Sequence, residues 1–256
     1  LYFSSENLKD IYIKRAEIME LAIESQDNKL DYTFPKRSES LDKIRLGILS
    51  THLNPQTETY STLPVFEHLD RNQFEIILYT CQINNHPLEK YCQSRADRWV
   101  KLPQKLSDQV KTIRADDLDI LLIGTNVTAV THSITLLALH RLARIQVTST
   151  SSCVTTGMRN IDYYISGNLT ESPQAPQQYS EKLAVIEGTA HCFNYYAIPP
   201  AQPTVHPQRS DLKLDENTVV FISGANFYKI IPELRETWAK ILSKVPNSVL
   251  ILYPFM

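Results

Sequence analysis

The chain has 256 residues, 43% of them hydrophobic and 21% charged, with a net charge of −2 and a pI near 6.4. That is globular composition with room for one large or two ordinary domains, and it supplies no basic field for nucleic acid or for an anionic membrane surface. No apolar run approaches the roughly 18 residues of a membrane span and no signal-peptide pattern opens the chain, so the expectation is a soluble, cytoplasmic protein.

Cys81, Cys92, Cys153 and Cys192 are widely spaced, with no CxxC pair and no histidine at metal-ligand spacing. This predicts free buried thiols and neither a zinc site nor a disulfide framework. The six glycines form no GxGxxG, which argues against a dinucleotide-dependent dehydrogenase or a P-loop ATPase. Asn126-Val127-Thr128 and Asn168-Leu169-Thr170 match the glycosylation pattern. Without a secretory signal both read as chance matches.

In chain order, residues 1–4 (LYFS) look like the remnant of a cleavable expression tag. Residues 6–24 place Leu8, Ile11, Ile18, Leu21 and Ala22 at helical spacing and predict one amphipathic helix. Residues 27–39 are polar, contain Pro35 and read as a linker, so residues 1–42 precede the first domain. From there strands and helices alternate. Strands are predicted at 43–50 (KIRLGILS), 74–81 (FEIILYTC), 99–102, 118–124 (LDILLIG), 145–148 and 163–166. Helices fall around Leu63 to Leu69, near 88–94, near 107–113 and over about 133–142. This alternation specifies an α/β fold with a parallel sheet and right-handed connections.

Pro199, Pro200, Pro203 and Pro207 make the stretch 197–208 unfit for a helix or a central strand. The domains expected are therefore 43–198, a proline-rich linker at 199–214, and the start of a second domain at 215–256. That second segment opens with an apolar strand at 219–223 (VVFIS), predicted to be buried on both faces. A loop with Gly224, Ala225 and Asn226 follows. Pro232 then starts a helix whose stripe is Leu234, Trp238, Ile241 and Leu242, with Glu236 and Lys240 paired on its surface. Pro246 and Asn247 end it before a parallel strand at 249–252 (VLIL). This is a βαβ unit with Lys229 just ahead of its helix, where free N–H groups favour anions.

The run ANFYKI, followed by WAKIL and VPNSVL, resembles the nucleotide-binding lobe of the O-linked N-acetylglucosamine transferase and SPINDLY glycosyltransferases. The resemblance extends from Lys43 to Phe255 through KIRLGILS, PVFEHLDRNQFEIILYT, DILLIG, IDYYISG and QQYSEKLAVIEG in family order; QYSEKLA and VPNSVL are its most specific pieces. It implies a GT-B-like architecture, a Rossmann-like amino-terminal lobe and the first βαβ unit of a second lobe, with the active site in the cleft between lobes. It also implies an inverting, metal-independent transferase with no cofactor. The donor is a nucleotide sugar, UDP-N-acetylglucosamine, and the acceptor is a Ser or Thr hydroxyl of a polypeptide. Helical repeats commonly precede such lobes, although one helix does not establish a repeat.

Carried over by that resemblance, Lys229 contacts the donor diphosphate and Asn226, in place of the family's glutamine, approaches the nucleotide. Thr156 and Gly157 close the family's sugar-pocket loop, whose earlier glycine and proline are replaced in 150–154 (TSSCV). In the loop after the first strand Asn54 occupies the place of a family histidine directly before Pro55. His52 and Glu58 are then the candidate proton acceptors, His52 having the alternative of capping local backbone. Asn126 matches a family asparagine while Val127 departs from the glycine after it. Nearby, His132 reads as a helix-start residue or an acceptor-cleft group. The family's uridine pocket, phosphate loop and ribose-binding carboxylate lie beyond the equivalent of Met256. With Asn54 and the altered 150–154 loop, this also fits a non-catalytic binding or scaffold module of transferase fold.

Overall fold

The structure, a computed structural model, describes residues 6–26, 29–37, 43–199, 204–206 and 208–253. The tag-like residues 1–4, Pro200, Pro203, Pro207 and Phe255 lie outside the described residues, as do positions 27, 28, 38 and 39 of the expected linker. The chain divides into two compact units, 1–200 and 201–256.

In the first unit β1 (Ile44–Ser50), β2 (Phe74–Thr80), β3 (Arg98–Lys101), β4 (Ile120–Ile123), β5 (Ile145–Ser149), β6 (Tyr163–Gly167) and β7 (Lys182–Ile186) form one sheet. The strand order is β3-β2-β1-β4-β5-β6-β7 and every neighbouring pair is parallel. Helices α1 (Lys9–Glu24), α2 (Thr57–Glu67), α3 (Pro87–Ser94), α4 (Leu106–Ala115) and α5 (Ser133–Ala138) cover it. Successive strand residues point to opposite faces, and β1 and β4 are apolar on both. Leu49, Leu121 and Ile123 join one core with Ile113 of α4 and Leu137 of α5. Ile48 and Leu122 join a second core with Leu63 and Phe66 of α2 and Leu88 of α3. Running outward from the β1/β4 seam, the strand order goes one way through β2 and β3 and the other way through β5, β6 and β7. That seam is the topological switch point of a doubly wound sheet, the place where ligands bind beyond the strands' carboxyl ends.

Three details differ from the sequence expectation. The helix α1 forms, but it turns Tyr12, Ala16, Glu20 and Ile23 inward. Of the expected stripe only Leu8 is buried, whereas Ile11, Ile18 and Leu21 are 56%, 68% and 67% exposed. Polar anchoring selects the face: the Tyr12 hydroxyl donates to the Thr128 carbonyl at 3.0 Å and Glu20 pairs with Arg159 at 3.4 Å. Residues 29–37 are a pinned strap instead of a loose linker. Leu30 is buried, its carbonyl accepts from Arg141 N (2.8 Å) and Arg114 Nη2 (3.0 Å), and Arg114 lies over the Tyr32 ring at 4.7 Å. The third difference is β7, an edge strand whose half-exposed residues give no burial pattern and which its pairing with β6 defines.

The second unit contains β8 (Val219–Ser223), a 3₁₀ turn (Phe227–Lys229), α6 (Pro232–Lys244) and β9 (Ser248–Leu252), with β8 and β9 paired in parallel. Trp238, Ile241 and Leu242 face Phe221 and Leu250 across an apolar groove. Among the described residues β8 is not buried on both faces, as was predicted: Val219 is 42% and Ile222 72% exposed, and these two positions lie on opposite faces of the strand. Glu236 and Lys240, predicted to pair, are not among the ion pairs of the described residues; flexible exposed side chains gain little from such pairing.

Candidate functional site at the sheet switch point

The loops after β1, β4 and β5 meet at the carboxyl edge of the sheet. The backbone N–H of Thr51 donates to Thr125 Oγ1 at 3.0 Å, and Gly124 N donates to Leu49 O at 2.8 Å. Gly124 is closely packed, since a Cβ there would stand 2.9 Å from Ser50 Oγ and 3.0 Å from Thr62 Cγ2 and those side chains would have to give way. From the loop after β5, Ser151 Oγ donates to Ile123 O (3.3 Å) and Ser152 Oγ accepts from Val127 N (3.4 Å).

The loop between β1 and α2 is anchored by Leu53, which is fully buried, leaving His52 and Asn54 partly exposed. His52 Nδ1 accepts the Asn54 N–H at 3.3 Å. A neutral imidazole held this way carries its proton on Nε2 and presents a donor there, not a proton acceptor. Glu58 lies in the first turn of α2, and its carboxylate has no hydrogen bond or ion pair among the described residues. The local-backbone role weighed for His52 is therefore the one its geometry displays, and Glu58 is the free base candidate.

Asn126 and His132 are brought together. Asn126 Oδ1 accepts from Thr128 N (2.9 Å), Thr128 Oγ1 (2.9 Å) and Ala129 N (3.1 Å), so its amide oxygen shapes the loop as an Asx turn. Its Nδ2 donates to Cys153 Sγ at 3.5 Å. His132 is the residue preceding α5, with Nε2 2.9 Å from the Asn126 carbonyl and a buried, unpartnered Nδ1.

Thr156 and Gly157 need correction. Thr156 is 0% exposed, with its N–H (2.7 Å) and hydroxyl both donating to Glu181 Oε1, and Thr155 Oγ1 donates to Glu181 Oε2 at 2.6 Å. Gly157 has φ +71°, and a Cβ there would stand 2.2 Å from the Tyr12 carbonyl carbon and oxygen. The freedom of this glycine serves the packing of α1, and neither residue faces solvent to meet a sugar. The cysteines also differ from expectation: all four are free, but Cys153 and Cys192 are exposed.

Sequence reasoning missed α1 as a wall of this site. Arg15 donates to Val127 O (3.1 Å) and to Thr131 Oγ1 (3.2 Å), next to the Tyr12 contact with Thr128. Burial pushes the Tyr12 phenol above its ordinary pKa against the pull of Arg15, and burial lowers that of Arg15. Glu181 was missed too, although it stands in QYSEKLA. Among the described residues no three His, Cys, Asp or Glu side chains converge to hold a metal ion.

In the second unit Lys229 N donates to Asn226 O at 2.8 Å, closing the turn ahead of α6. The Lys229 ammonium is exposed, and neither it nor the Asn226 amide has a partner among the described residues. Helix α6 starts at Pro232 without a side-chain cap, so its leading N–H groups remain available.

A doubly wound parallel sheet with its loops gathered at the switch point, followed by a separate βαβ unit, defines an α/β protein of GT-B-like type. The model of glycosyl transferase family 41 matches residues 3–200 and 197–256. The chain belongs to that family. It is 30% identical over 227 residues to a probable UDP-N-acetylglucosamine–peptide N-acetylglucosaminyltransferase, SEC, of Arabidopsis thaliana, covering 86% of this chain and 23% of the relative. The SPINDLY protein of the same plant, which bears the same activity in its name, is 27% identical over 217 residues, 82% of this chain and 22% of its own length. A mutant O-GlcNAc transferase of Thermobaculum terrenum superimposes with a TM-score of 0.70 at 25% identity, over 93% of this chain and 44% of the other. The chain thus spans about a quarter of the two plant relatives.

Proposed function

We propose that this chain is part of a nucleotide-sugar-dependent protein glycosyltransferase that moves N-acetylglucosamine from UDP-N-acetylglucosamine to Ser or Thr hydroxyls of a polypeptide. The observation that carries this reading is the meeting of the β1 and β4 loops at the switch point, in a chain of glycosyl transferase family 41. In the reaction the acceptor hydroxyl attacks the anomeric carbon on the face opposite the diphosphate, so the configuration inverts. Glu58 takes the hydroxyl proton, its carboxylate being free while His52 presents a donor. Negative charge collects on the departing UDP, where Lys229 and the leading N–H groups of α6 offset it without a metal ion. Asn54, Asn126 and His132 line the acceptor side, and Asn226 meets the nucleotide.

The test is transfer by the full-length protein from a panel of labelled nucleotide sugars to peptides, with and without chelator, the anomeric configuration being read by NMR. Transfer from UDP-N-acetylglucosamine in chelator is the expected result. Transfer from UDP-glucose alone would overturn the donor, and failure to bind UDP would remove the enzymatic reading in favour of a scaffold.

A further inference from the structure

Glu181 precedes the edge strand β7, yet the residue is only 6% exposed and its carboxylate bonds the loop after β5. It accepts from Thr155 Oγ1 at 2.6 Å, from Thr156 N at 2.7 Å and from the Thr156 hydroxyl. The lattice continues on both sides. Ser180 N donates to Thr155 Oγ1 at 3.0 Å, and Met158 N donates to Thr156 Oγ1 at 3.1 Å. A buried carboxylate is costly unless its oxygens are satisfied, and here all of that satisfaction comes from two consecutive threonines. Two further constraints act on the same loop: the Tyr164 hydroxyl donates to Ser152 O, and the α1 backbone occupies the space beside Gly157.

The other end of this loop is what touches the candidate site. Ser152 receives Val127 N, Ser151 donates to Ile123 O at the end of β4, and Cys153 Sγ receives the Asn126 amide at 3.5 Å. The segment 150–157 is therefore a short bridge held by Glu181 at one end and bearing on the Asn126 loop at the other.

We propose that Glu181 is a positioning residue of the transferase site, acting through the loop 150–157 on Asn126 and the carboxyl end of β4. It touches no reacting atom. The inference rests on the transferase reading above and deepens it by saying what fixes that side of the site. Removing the carboxylate orphans the Thr156 N–H and frees the loop, whereas glutamine keeps one oxygen for that N–H and an amide that the hydroxyls can bond.

The experiment compares Glu181→Ala and Glu181→Gln with the unaltered full-length protein in three measurements: thermal unfolding, steady-state transfer, and alkylation of Cys153 by iodoacetamide read by peptide mass. Cys192, exposed and outside the bridge, is the internal control. For Glu181→Ala the expected result is faster alkylation of Cys153 with Cys192 unchanged, and kcat lower on the order of 10- to 100-fold with KM for the nucleotide sugar within about threefold. Glu181→Gln should recover much of both. Should Glu181→Ala fail to fold, Glu181→Gln and Thr155→Val carry the same comparison, with smaller changes in the same directions. Unchanged Cys153 alkylation and kcat in a folded variant overturns the proposal, as does a loss of activity that only tracks the unfolded fraction. If the unaltered protein transfers no sugar, the transferase reading fails alone, and the Cys153 arm still decides whether Glu181 holds the loop.

Discussion

Thr51 and Thr125 are bonded across the switch point of the sheet, the N–H of one donating to the hydroxyl of the other at 3.0 Å. Thr51 is the first residue after β1 and Thr125 the second after β4, so this bond fixes the point where the chain leaves β1 relative to the point where it leaves β4. Replacing Thr125 by Val keeps the shape and removes the acceptor. It should lower unfolding stability by about 1 kcal/mol, as for a partly buried hydrogen bond, measured by urea titration. No change in the midpoint would mean that water replaces the hydroxyl without cost.

Glu58 and His52 separate by substitution. If Glu58 accepts the proton, Glu58→Gln should cut kcat by roughly 100-fold or more, the range of general-base removal, while His52→Gln should cost far less. The two variants are compared at saturating donor and acceptor. Equal losses would place the base elsewhere.

Lys229→Ala should lower turnover by roughly two orders of magnitude, because a preorganised cation at a developing anion is lost. The side chain is exposed and makes no ion pair among the described residues, so the unfolding midpoint should not move. Full activity in a folded Lys229→Ala protein would detach this residue from the diphosphate.

Gly157→Ala is expected to be poorly tolerated. The added methyl meets the α1 backbone at 2.2 Å and the residue keeps φ +71°. Overpacking and a left-handed alanine together should cost about 2–5 kcal/mol, read by denaturant unfolding. A neutral effect would show that α1 shifts away without loss.

Leu30→Ala tests whether the strap belongs to the core. With Leu30 1% exposed, truncation should destabilise by about 2–5 kcal/mol. A change below about 0.5 kcal/mol, the range of surface positions, would return residues 29–37 to the status of a linker.

What the sequence determined by itself was local. Apolar runs such as residues 46–49 and 120–123 require strands buried on two faces, and Pro232 with its stripe requires a helix between β8 and β9. Those patterns depend on neighbours three or four positions away, so one chain suffices to read them. Tertiary structure decided the rest. The face α1 buries follows from Tyr12 meeting Thr128 and Glu20 meeting Arg159, partners more than a hundred residues distant. Thr156 and Gly157 resemble an open sugar loop in sequence, but Glu181 and the backbone of α1 close over them in space. Whether a polar side chain faces a ligand or the interior depends on which distant group reaches it first, and spacing along the chain carries no record of that contact.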